Sequence, residues 1–378
     1  MADTYLLILL YASIRLMLAQ TRKLGILWVV CATSFLAVTI SLRPYSTAIL
    51  SFGDSSAYMN VAKAIASWHF AGLQVLQFWG VSYAIALVAL VGHLPFMVAL
   101  VVVSAASSAA TTILAGRLWG WHVSALMTAL SFDWTQRSLL GGSEPLFMLL
   151  LLGAFFAVRK QRWWTAAFVA SFATTVRPLG ICALVAIGLV LLHRRDYRRL
   201  TYVFATGIAV GALYMLPLHL YLHDGLATVH SYEGSRPLFG IPFYAILQRT
   251  FSSRPPVTNL ILSYSWIIII IGGIVLFAVS RCAREYRYAY PVEWVFAVLY
   301  TIAICCYNYP YWALGNFARF AIPSIPFAFI GWRQFLRERK LLRFDGLIPK
   351  LDPVVWATAV VGPALAACSA YGLRNLLR

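Results

Sequence analysis

Apolar runs long enough to cross a bilayer recur from one end of this chain to the other, parted only by short, mostly basic segments. A hydrocarbon core takes about 20 consecutive apolar residues in a helix, and no backbone amide there finds water to bond. The 378 residues are 61% hydrophobic and 11% charged, where a soluble domain carries about 25% charged residues. The sequence therefore predicts an all-α polytopic membrane protein, one transmembrane domain over 1–378, with no soluble domain, linker or internal repeat. Residues 5–18 are apolar but contain Arg15 and lack a small-residue cleavage site. They read as a cytoplasmic amphipathic helix or an extra span. The cysteines fall mostly inside apolar runs, as buried thiols do.

A net charge of +18 would fit nucleic acid, but its distribution argues otherwise. The dense clusters are Arg159 to Arg162, Arg194 to Arg199, Arg281 to Arg287 and Arg333 to Arg343. Each lies between two apolar runs, the signature of cytoplasmic loops, whose basic side chains also meet anionic lipids. No nucleic-acid partner is expected. With the N-terminus inside, about 11 spans are predicted, near 24–42, 96–116, 120–137, 143–158, 162–177, 179–193, 200–222, 258–280, 289–307, 318–333 and 353–372. The first outer loop is then 43–95, carrying interfacial helices, and the second is 223–257.

This threading gathers charges of both signs on the outer face from distant parts of the chain, among them Asp54, Arg137, Glu144, Arg177, Glu233, Arg236 and Arg319. A single Arg at a span end snorkels to water, whereas ionisable groups converging within a membrane mark substrate paths. Asp54 opens a stretch with Tyr58, Val61, Ala62 and Ile65 at helical spacing. Its first reading is an N-cap, and its functional reading a general base held at the membrane surface. Glu144 begins a span in Gly141-Gly142-Ser143-Glu144-Pro145, where Ser143, Pro145 and an acid in the first turn make a good helix start. Arg177 sits in Thr175-Val176-Arg177-Pro178, a break between apolar runs, and Arg319 holds the same place before its own span. A lone Arg at such depth wants an acid or a phosphate.

The order of these pieces resembles the GT-C superfamily of integral-membrane glycosyltransferases. It runs from Asp54 in the first outer loop, through Ser143-Glu144-Pro145-Leu146-Phe147 opening a span and Trp163-Trp164 leading to Thr175-Val176-Arg177-Pro178-Leu179-Gly180, to Arg319-Phe320-Ala321-Ile322-Pro323. The likeness covers roughly 20–335 and is closer to bacterial mannosyltransferase-like members and, distantly, the second GPI-anchor mannosyltransferase. It implies transfer of a sugar, mannose as first candidate, from a polyprenyl-phosphate-linked donor to a glycan, lipid or protein acceptor. The active site would lie on the outer face of a bacterial inner membrane. It implies a base or acceptor-orienting role for Asp54 and a donor-phosphate contact for Arg319, with Arg177 and Glu144 at motif positions. Many relatives carry two adjacent acids in the first loop. Gly53-Asp54-Ser55 offers one, so no paired acidic motif supports a divalent metal.

Such chemistry suits the residues. The acceptor hydroxyl must lose a proton, and the leaving phosphate gains charge that a guanidinium meets in two places. Tyr58, His69, Glu233 and Arg236 are further substrate-pocket candidates, with Tyr232 to Pro237 read as a lid or acceptor-facing segment ahead of a disordered loop. The outer-face aromatics, Trp68 and Trp79 among them, read mostly as an interfacial belt. His69 and the group His219, His223 and His230 lack metal-ligand spacing with carboxylates, so no metal site is assigned. The alternative is a transporter or lipid flippase, which would carry its charges near the midplane and show repeat-related broken helices.

Overall fold

The computed structural model describes residues 2–70, 73, 77–233, 239–253, 257–308, 316–338 and 353–372, and among these no β-strand occurs. The protein is an all-helical integral membrane protein. In chain order the helices are α1 (Ala2–Leu42), α2 (Tyr45–Ser51), α3 (Gly53–Ser67), α4 (Gly80–Gly92), α5 (Phe96–Trp119), α6 (Trp121–Leu130), α7 (Phe132–Leu140), α8 (Glu144–Arg159), α9 (Trp163–Val176), α10 (Ile181–His193) and α11 (Tyr197–Leu222). They continue with α12 (Ala227–Glu233), α13 (Tyr244–Ser253), α14 (Val257–Val279), α15 (Arg284–Ala289), α16 (Pro291–Cys305), α17 (Phe317–Phe320), α18 (Ile325–Glu338) and α19 (Pro353–Gly372).

Among the described residues three segments are long and apolar enough to cross a bilayer: Thr21–Leu42, Phe96–Trp119 and Tyr197–Leu222. Five described apolar helices are shorter, including Gly80–Gly92 and Pro291–Cys305. The expected span at 120–137 is not one helix. It breaks at Ser131, whose extended backbone (φ −85°, ψ 95°) separates α6 from α7. α7 then joins α8 at 105°, and together they have the length and apolarity of a broken span or a re-entrant loop. Residues 5–18 continue α1 without a break. The expected first outer loop is largely helical, and α4 buries Val81, Ile85, Ala86 and Ala89 against its neighbours.

The centre of the molecule is α5, α8, α9, α10 and α16. α8 buries Phe147, Leu151, Leu152 and Phe155, and α9, which packs along it, buries the small residues Ala166, Ala170 and Ala173. Small side chains at one-turn spacing let two backbones approach where lipid supplies no hydrophobic drive. At the periphery α11 leaves Phe204, Ile208 and Leu213 exposed, a lipid-facing stripe.

α5 orients the α7–α8 bend through a stripe of buried hydroxyls. Ser108 accepts from Ser138 at 2.7 Å, Thr111 donates to Pro145 O at 3.4 Å and Ser104 to Gly142 O at 3.5 Å. The bend needs its glycines. Gly141 has φ +96°, and a Cβ on Gly142 would lie 2.6 Å from Arg137 Cβ and 2.5 Å from Glu144 Oε2.

Candidate functional site

The bend carries Arg137 and Glu144 to one place, and three other parts of the chain meet them there. The first is the start of α3. Ser55 Oγ and Tyr45 Oη donate to the carbonyls of Leu140 and Leu139, which pins the α2–α3 turn onto the end of α7. These bonds also satisfy carbonyls that a helix end leaves open. Asp54, in the first turn of α3, makes no side-chain capping bond. The N-cap expectation is thereby corrected: Phe52 holds the cap position, and the Asp54 carboxylate turns to Arg137 and Arg319 instead.

Arg177 follows α9 in extended conformation (φ −145°, ψ 133°), as the residue before a proline does, and the chain turns through Pro178–Gly180 into α10. Arg319 sits on the four-residue α17. Tyr300 Oη donates to Phe320 O at 2.9 Å, and Thr301 and Ser324 hydroxyls pair at 2.8 Å, so α16 fixes the segment that carries it.

At the centre Glu144 Oε1 accepts from Arg177 Nη1 at 2.6 Å and from Arg319 Nε. Here too Ser143 makes no capping bond, and the acid that starts α8 serves as an ion-pair partner. Asp54 Oδ2 accepts from Arg137 Nη1 at 3.2 Å and from Arg319 Nη2. Arg319 therefore bridges the two acids. The acids differ in access: the Glu144 side chain is 2% exposed and that of Asp54 23%. Phe320 lies under Arg177, its ring 5.6 Å from the guanidinium carbon, and Phe52 under Arg137 at 4.2 Å.

Sequence reasoning foresaw four members of this cluster, Asp54, Glu144, Arg177 and Arg319, and the structure brings all four into contact. Tyr58, one turn along α3, is buried and within electrostatic reach of Arg177 and Arg319. His69 is not brought in. It is exposed just beyond the far end of α3, about 20 Å from Asp54 at ~1.5 Å per residue. The Glu233 side chain and the whole of Arg236 lie outside the described residues. Two members were not singled out as site residues: Arg137 and Asp133. Asp133 is buried one turn before Arg137 on α7, in electrostatic contact with Arg137, Arg319 and Glu144. Their four-residue spacing within an apolar stretch was the available signal.

Beside the cluster, a groove of about 450 Å³ runs between α10 and α16. Ile181, Cys182, Val185, Leu299 and Ile302 line it, and Phe239 and Gly240 close one side, where Gly240 N–H bonds Cys306 O at 2.8 Å. Its walls are apolar, and Ile181 and Cys182 lie in the first turn after Arg177-Pro178-Leu179-Gly180. Among the described residues no three of His, Cys, Asp or Glu stand close enough to hold a metal ion.

No curated protein matches the chain. The family model for glycosyltransferase family 87 matches residues 61–305. That range takes in Asp133, Arg137, Glu144, Arg177 and the groove, while Asp54 and Arg319 flank it. With most of its length so matched, the chain belongs to glycosyltransferase family 87, a GT-C-type family of membrane glycosyltransferases.

Proposed function

We propose that the protein moves a sugar, mannose as first candidate, from a polyprenyl-phosphate carrier to an acceptor on the non-cytoplasmic face of a bacterial inner membrane. The pairing of the more open acid, Asp54, with the guanidinium of Arg319 is the observation that carries this reading. It sets a proton acceptor beside a phosphate ligand, the two groups that transfer from a phosphodiester requires. Asp54 is the base and Arg319 and Arg177 hold the donor phosphate. The buried Glu144 keeps both arginines in place, with Tyr58 against them.

Donor capacity supports the assignment. Three guanidiniums touch two carboxylates, and Asp133, a turn behind, balances the third. Arg319 spends Nε on Glu144 and Nη2 on Asp54, so Nη1 has no partner among the described residues and can donate to a phosphate oxygen. In the reaction the acceptor oxygen attacks the anomeric carbon, the bond from that carbon to the phosphate oxygen breaks, and the phosphate leaves with its electrons. The acceptor proton passes to Asp54. A single displacement of this kind inverts the anomeric configuration. The apolar groove beside Arg177 is where the isoprenoid chain fits. The basic segment Arg159 to Arg162, at the opposite end of α8 from Glu144, supports an outward-facing site.

The test is transfer of radiolabelled mannose from synthetic polyprenyl-phosphate-mannose to membrane acceptors by wild type and Asp54→Asn side by side. Transfer by wild type alone is the expected result. Equal transfer by a purified Asp54→Asn protein would remove the base assignment, and transfer only from another lipid-linked sugar would replace mannose.

A further inference from the structure

We propose that Arg137 is a positioning residue for the base: it anchors Oδ2 of Asp54 so that Oδ1 faces the acceptor hydroxyl. This rests on the reading of Asp54 as base and Arg319 as phosphate contact.

Both hydrogen-bond partners of Asp54 among the described residues act on one oxygen. Arg137 Nη1 and Arg319 Nη2 donate to Oδ2, and no described group bonds Oδ1. An oxygen already accepting from two guanidiniums has little left for a third hydrogen, so the proton-accepting oxygen is Oδ1. Its direction is then set by whatever holds Oδ2. Of the two holders, Arg319 has other claims on it, since it also bonds Glu144 and the donor phosphate pulls on the same guanidinium. Arg137 hydrogen-bonds only Asp54 among the described residues: its Nη1 donates to Oδ2 and its Nε is buried with no hydrogen-bond partner, while Glu144 and Asp133 act on it as nearby charges.

Arg137 is also seated for a fixed role. It is nine-tenths buried, with its guanidinium carbon 4.2 Å from the centre of the Phe52 ring. Phe52 immediately precedes α3, so Arg137 grips the base and the start of its helix together. On its own side, α7 is tied to that start by the Ser55 and Tyr45 bonds, and Asp133 sits one turn back. Three contacts thus join α7 to the Asp54 turn, and the charged one acts on the oxygen opposite the base.

Arg137→Ala and Arg137→Lys would be compared with Arg319→Ala and Asp54→Asn, each purified in lipid nanodiscs. Rates are expressed per donor-binding site, counted with a non-hydrolysable polyprenyl phosphonate sugar. Arg137→Ala is expected to keep donor KM within about twofold and lose ~100-fold in kcat, the range general-base catalysis commands. Arg137→Lys, which keeps the charge but not the fork, should recover part of that loss. Adding Arg137→Ala to Asp54→Asn should cost little more than Asp54→Asn alone, because the two act as a unit. Arg319→Ala, by contrast, should raise donor KM. A kcat per site within about threefold of wild type in Arg137→Ala would overturn the proposal. So would a rise in donor KM matching that of Arg319→Ala, which would make Arg137 a phosphate contact. If Arg137→Ala yields no folded protein, Arg137→Lys and the double variant with Asp54→Asn carry the same comparison. Full activity of Asp54→Asn would instead overturn the reading of the base.

Discussion

Two carboxylates with the same chemistry differ in access, and the division of roles proposed for them rests on that difference. Glu144 offers one oxygen to two guanidiniums, while its other oxygen is buried without a partner. Removing that charge leaves Arg177 and Arg319 buried and facing each other, and breaking a buried pair in this way costs about 3–5 kcal/mol. Glu144→Gln should therefore lower the thermal unfolding midpoint and weaken donor binding together, read by a size-exclusion thermal assay and by donor titration. Asp54→Asn should abolish transfer with a much smaller loss of stability, because its carboxylate is the more solvated of the two. A Glu144→Gln protein as stable as wild type would sink this division of roles. These acids were legible in the sequence for the same reason that they matter: a charge inside or beside an apolar run is costly and has to be compensated. Asp133 carried the same signal and was passed over: it lies within 120–137, which reads as one span, and nothing in local pattern says that the helix stops at Ser131.

The α7–α8 bend turns a sequence of ordinary elements into a site. Gly141-Gly142 was readable as a helix start but not as a 105° fold-back, because turn residues report a break and not its angle. The angle comes from tertiary partners: the hydroxyls of α5, and Leu100, which packs where a Gly141 side chain would go. A Cβ at Gly141 would lie 2.6 Å from Leu100 Cδ2 and at φ +96°, where a side chain adds roughly 1–2 kcal/mol of backbone strain before the clash. Gly141→Ala should thus destabilise the protein and, per folded molecule, cut kcat, since Arg137 and Glu144 stand on either side of the bend. Leu100→Ala is itself costly, since Leu100 is buried, but it makes room for the new methyl group, so Gly141→Ala and Leu100→Ala together should cost less stability than the sum of the two alone, and strict additivity would argue against this packing. The stretch expected as the first outer loop holds the short helices α2, α3 and α4, and α4 buries one face among its neighbours while Leu87, Leu90 and Val91 stay exposed.

Across the whole molecule a second buried charge network stands at the other end of α8, about 22 Å from Glu144 at ~1.5 Å per residue. Glu293, at the start of α16, accepts from Arg159 Nε at 2.6 Å, from Arg159 Nη2 at 2.9 Å, from Trp119 Nε1 at 2.8 Å and from Tyr286. Arg159 also donates to Leu118 O at 2.6 Å and stacks on Tyr290 at 3.7 Å. In this network one acid meets one arginine in a bidentate fork, its remaining bonds come from neutral donors, and the groups are closed in: the Glu293 side chain is 3% exposed. With one acid matched to one arginine, this end is expected to clamp α5, α8, α15 and α16 and to take no part in donor binding. The two ends of α8 should accordingly fail differently. Glu293→Gln should lower the unfolding midpoint by the margin of a broken buried pair, about 3–5 kcal/mol. It should leave donor KM and kcat per folded molecule unchanged, because distant sites without shared partners act independently. Combined with Glu144→Gln, the two losses of stability should add. A large change in donor KM from Glu293→Gln, measured per donor-binding site, would mean that α8 transmits strain from one charged end to the other and that the clamp belongs to the catalytic machinery.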